Sequence, residues 1–82
     1  MENTTLFKLS DFENALVSST LIEVYESLTM KGYNPTNQLI GYLITNDESY
    51  ITSYNNARSK IKKLNREKIL DVILKDYMKK NL

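Results

Sequence analysis

The 82-residue chain carries 11 basic and 10 acidic side chains, a formal net charge of +1, and contains neither cysteine nor histidine. Its length suits one domain rather than two. The missing cysteines exclude disulfides and thiolate metal sites, and the missing histidines remove the commonest zinc ligand and the usual general base.

No apolar run approaches the roughly 18 residues of a membrane-spanning helix. The N-terminus lacks the basic-then-apolar pattern of a secretory signal, so a cytoplasmic protein is expected. Charge is unevenly spread: residues 1–30 sum to −4, residues 31–52 to −1 and residues 53–82 to +6. Such a chain can self-associate or offer a basic face to an anionic partner.

Residues 1–9 lack helical periodicity and are expected to form a flexible tail, leaving residues 10–82 as a single helical domain. Ser10 followed by Glu13 reads as a capping box, placing the first helix start near Asp11. Val17, Leu21, Val24 and Leu28 then form one apolar stripe, which Leu16, Ile22 and Tyr25 widen beyond what one neighbour covers. Gly32 stops this helix, with Lys31 placing positive charge near its C-terminal end.

Asn34 and Pro35 restart the chain as N-cap and first helical residue. The second helix is expected from Pro35 to about Thr45, with Leu39, Ile40, Leu43 and Ile44 inward. Asn46-Asp47-Glu48-Ser49 is a turn cluster, and Tyr50-Ile51 an apolar anchor in the connection. Asn55 or Asn56 can cap a third helix with the stripe Tyr54, Ala57, Ile61 and Leu64. Asn65 can break that helix and cap a fourth from Arg66 to about Lys80, whose face is Ile69, Leu70, Ile73, Leu74 and Tyr77.

The expected fold is all-α, a compact bundle of about four short helices. Their apolar faces exceed what so short a chain can bury, which predicts a closed, two-fold homodimer.

Little in the chain supports catalysis. Ser18-Ser19-Thr20 has no positioned base and is expected to face solvent; Glu23 and Glu26 share a helical face that nothing completes into a site. No glycine-rich phosphate loop is present, and no catalytic residue, metal site or cofactor is assigned.

Arg58, Lys62 and Arg66 are spaced i, i+4, i+8 and would line one face if the helix ran through Asn65. They could grip phosphates or an acidic partner, or simply be the solvated face of a Lys-rich helix. The alternative to a protein-binding role is a small helix-turn-helix-like DNA-binding regulator. Near-neutral charge argues against nucleic acid, as does a second helix without Arg or Lys. In the tail, Thr4 and Thr5 are candidate phosphoacceptors, where a phosphate would add about −1.5 to −2 charge. The six tyrosines are dispersed and suit core and interface packing.

The string Lys31-Gly32-Tyr33-Asn34-Pro35, followed by Asn37-Gln38 and Gly41-Tyr42-Leu43, resembles the IreB/ReoM family of small regulatory phosphoproteins from Gram-positive bacteria. The resemblance continues through Asp47, Tyr50-Ile51, Ala57-Arg58 and the basic run to Arg66, and takes in Val24-Tyr25, Leu28 and the Ile69-to-Tyr77 helix. It implies an all-helical homodimer with an N-terminal threonine phosphorylated by a PASTA-type Ser/Thr kinase and reversed by a cognate phosphatase. It further implies control of Clp-protease turnover of the UDP-GlcNAc enolpyruvyl transferase, and through it of peptidoglycan synthesis and wall-antibiotic tolerance.

By position, the resemblance makes Thr5 the phosphoacceptor with Thr4 as the neighbouring alternative, and Arg58, Lys62 and Arg66 the partner-binding cations. This chain departs from the family's usual Gly-Asp-Pro turn and Ile-Pro-Arg step, reading Asn46-Asp47-Glu48 and Ile51-Thr52-Ser53 instead. Lys62 stands where arginine is common, which loses the bidentate fork.

Overall fold

The computed structural model describes residues 9–82, with side chains from Asp11 onward. Those residues form four α-helices and no strand: α1 (Leu9–Met30), α2 (Pro35–Thr45), α3 (Ala57–Lys62) and α4 (Arg66–Asn81). Two short 3₁₀ turns, Glu48–Tyr50 and Tyr54–Asn56, punctuate the α2–α3 connection. Helix α1 is the spine against which the other three pack.

The α1–α2 corner forms as its residues dictate. Gly32 adopts φ +85°, the Tyr33 amide donates to the Leu28 carbonyl (3.0 Å) and the Gly32 amide to the Thr29 carbonyl (3.0 Å). This pair of bonds satisfies carbonyls that the end of α1 would otherwise leave open. Asn34 then sits in extended backbone, and its Oδ1 accepts from the Asn37 amide at 3.0 Å. Pro35 follows at the first helical position. Three asparagines, Asn46, Asn55 and Asn56, take the left-handed conformation elsewhere, a region Asn tolerates better than most side chains.

The core is Val17, Val24 and Leu28 from α1, Tyr42 from α2, Ile51 from the connection, Ala57 and Ile61 from α3, and Ile69 from α4. The α1 stripe is therefore inward as expected, with Leu21 half-buried at its edge.

Four local expectations are corrected. The helix is already formed at Leu9, so Ser10 lies within it rather than capping it; a capping preference of about 1 kcal/mol yields once the helix extends past it. Thr20 is buried, not solvent-facing, and Ser27 is buried one heptad along, small polar residues on the face where α1 meets its neighbours. In α2, Ile40 and Ile44 point outward, while Tyr42 is buried and Leu39 and Leu43 pack at the core edge. In α3, Asn56 precedes the helix in a left-handed conformation without a side-chain cap bond.

Candidate functional site

Asn65 settles the layout of the basic run. It is extended (φ −76°, ψ 128°), and its Oδ1 accepts from the Glu67 amide (2.8 Å) and the Lys68 amide (3.2 Å). Helices α3 and α4 are thus separate, and Arg58, Lys62 and Arg66 do not share one continuous helical face. They nevertheless converge, because all three reach onto residues 43–51. Arg58 Nε donates to the Ile51 carbonyl at 2.8 Å, Lys62 Nζ lies 2.7 Å from the Glu48 carboxylate, and Arg66 Nη1 donates to the Leu43 carbonyl at 2.9 Å.

Each contact answers a local need. Leu43 is in the last turn of α2, whose carbonyls have no intrahelical partner, so Arg66 supplies a charged donor where the helix dipole is negative. Ile51 is fully buried, and an unpaired carbonyl there would be costly. The Arg58 amide also donates to the Thr52 carbonyl at 3.1 Å.

The opposite side of the same connection is held by α2. Gln38 Nε2 donates to the Tyr50 carbonyl at 2.9 Å, and the Tyr50 ring lies directly on Gly41, where any Cβ would collide with it. Gln38 and Gly41 therefore work together with Arg58 to seat Tyr50-Ile51, while Arg66 holds the end of α2. These roles lie across a loop of undetermined path, and sequence spacing alone could not reveal them. Glu48 as the partner of Lys62 was equally hidden.

Asp47 starts the connection. Its carboxylate accepts from the Ser49 hydroxyl (2.7 Å) and the Ser49 amide (2.9 Å). These two bonds hold its pKa below the ordinary 3.8 against an opposing effect of desolvation, with the Arg58 charge as the smallest contribution. A depressed folded-state value means a stabilisation present above the unfolded pKa and lost as pH falls through the folded one. Asp47→Asn should therefore lose this contribution at neutral pH and show a smaller fall in thermal midpoint between pH 5 and pH 3 (values chosen about the ordinary carboxylate range). Melting curves at the two pH values check this.

A second feature is a largely apolar groove of about 490 Å³ lined by Leu21, Ile22, Tyr25, Leu39, Leu43 and Ile73, with Glu26 as its one charged residue. Ile22 is 58% exposed, Ile44 75%, and Leu74 and Tyr77 both 61%. Of the broad α4 face expected from the sequence, only Ile69 is buried.

The two candidate phosphoacceptors, Thr4 and Thr5, lie outside the described residues. Glu23, half of the acidic pair, is 3.0 Å from Lys60 in an ion pair that joins α1 to α3. Among the described residues no cluster of three His, Cys, Asp or Glu could hold a metal ion, and no helix is long and apolar enough to cross a membrane. The outward face of α2, where a DNA-reading helix would present donors, offers Ile40 and Ile44.

A family model described as IreB regulatory phosphoprotein matches residues 2–79, and so takes in the tail threonines, the α1–α2 corner and the whole basic run. By that match the chain belongs to the IreB family of regulatory phosphoproteins.

Proposed function

We propose that the protein is a non-enzymatic, homodimeric switch whose Thr5 (with Thr4 as the neighbouring alternative) accepts the γ-phosphoryl group of ATP from a PASTA-type Ser/Thr kinase. A cognate phosphatase removes it. In the unmodified state the protein promotes Clp-dependent degradation of the UDP-GlcNAc enolpyruvyl transferase, and phosphorylation relieves that promotion. Peptidoglycan synthesis and tolerance of wall antibiotics follow the transferase level, and the circuit operates in the cytoplasm. The observation that carries this proposal is the regulatory-phosphoprotein match over residues 2–79.

Two surfaces of the molecule support this reading. The wide apolar face formed by Leu21, Ile22, Tyr25, Leu39, Leu43 and Ile73 suits a self-complementary two-fold contact. Arg58, Lys62 and Arg66 are proposed to serve partner binding while also holding the α2–α3 connection in shape.

The test is made in cells. Thr5→Ala should leave the protein permanently in its degradation-promoting state, so the transferase half-life stays short under wall stress while the wild type lengthens it. A Thr5→Ala strain in which wall stress still stabilises the transferase as in wild type would count against the switch.

A further inference from the structure

Between the Glu48–Tyr50 turn and α3 lies a hollow of about 230 Å³ walled by Glu48, Ser53, Asn56, Arg58, Ser59 and Lys62. Two cations, two hydroxyls and a carboxamide converge there. The ion pair at 2.7 Å shows that an oxyanion seats against Lys62, because Glu48 already does so. That pair is about half exposed on both sides, so water and competing anions reach it. Asp47, the other carboxylate near Arg58, is committed to the Ser49 hydroxyl and amide. We propose that this hollow is a phosphate-monoester site, filled by the phosphothreonine-bearing segment of residues 1–9 and kept closed in the unmodified protein by Glu48 acting as a tethered competitor. The proposal rests on Thr5 being the phosphoacceptor.

The N-terminal segment of this chain lies within reach. Thr5 is four residues before Leu9, so its Cα lies at most about 14 Å from that of Leu9, and the side chains of phosphothreonine and Lys62 add to that span. Glu13, about 6 Å along α1 from Leu9, shares a hollow with Lys63 and Leu64, the residues that follow Lys62. The Ser59 hydroxyl already donates to the Asn56 carbonyl at 3.1 Å. Phosphate is favoured over a carboxylate because a dianion with three acceptor oxygens can occupy Arg58, Lys62 and the Ser53 hydroxyl together, which Glu48 with one charge cannot.

The experiment titrates ¹⁵N-labelled protein carrying Thr5→Ala with a synthetic peptide of residues 1–9 phosphorylated on Thr5, with the unmodified peptide, and with inorganic phosphate. The expected result is saturable amide shifts within Asn56–Lys62 for the phosphopeptide, weaker ones for phosphate, and none for the unmodified peptide. Glu48→Gln should tighten the phosphopeptide about threefold by removing the competitor. Lys62→Gln should weaken it about tenfold. Equal binding of the unmodified peptide, shifts centred elsewhere, or no change with Glu48→Gln overturns the proposal. Because the phosphate is supplied synthetically, a kinase that fails to modify Thr5 in cells refutes the proposed function and leaves this titration to stand or fall alone.

Discussion

Gly41→Ala should destabilise the fold by about 1–3 kcal/mol or more, because the added methyl must occupy space filled by the Tyr50 ring. In an ordinary helix interior the same change would stabilise by about 0.5–1 kcal/mol, so the sign of the effect is itself diagnostic. The ring cannot simply withdraw. The Tyr50 carbonyl is bonded to Gln38, and the next residue, Ile51, is fully buried and tied to Arg58. Displacing Tyr50 therefore strains the segment that Arg58 holds at Ile51 and Lys62 at Glu48. Urea denaturation of Gly41→Ala, Tyr50→Ala and the double variant forms a cycle in which the double variant recovers part of the loss. Strict additivity would mean that the ring does not lie on Gly41.

Converting Ile22 and Ile73 together to Asp should dissociate the proposed homodimer, halving the mass measured by light scattering at micromolar concentration. Both side chains line the apolar groove between α1, α2 and α4, and burying either is worth about 1.5–3 kcal/mol per copy. Two carboxylates in the centre of a two-fold contact would add unpaired buried charge, and symmetry doubles the effect. Neither residue belongs to the core cluster, so the monomer should keep its helical content by circular dichroism. A variant that remains dimeric would place the contact on another surface.

What the sequence made legible was what is local. The Gly32 stop, the Asn34-Pro35 restart and the Asn65 cap are each decided within one turn of chain, by one side chain's conformational or hydrogen-bonding preference. The α1 stripe was legible because its helix is long enough for the period to be unambiguous. Facing in α2 was not. Leu39, Ile40, Leu43 and Ile44 define a stripe by hydropathy, yet Gly41 lets Tyr50 dock and turns Tyr42 inward, leaving Ile40 and Ile44 outside. The cations of the basic run were identified as functional candidates, but their targets lie 7 to 23 residues away across an irregular connection. No periodicity encodes such partners. The departures of this chain in residues 46–53 gain a physical meaning from the same contacts, since Glu48 supplies the carboxylate that occupies Lys62.

This IreB-family chain is proposed to be switched by phosphate on its N-terminal segment. Intact-mass analysis of the full chain after incubation with a PASTA-type kinase and ATP tests it most directly. The expected result is a gain of one phosphate that peptide mapping places on residues 4–5, and its loss in Thr5→Ala or, if the neighbour is used, in Thr4→Ala. Unmodified protein under conditions where the kinase phosphorylates itself, or phosphate found only within residues 9–82, would contradict it.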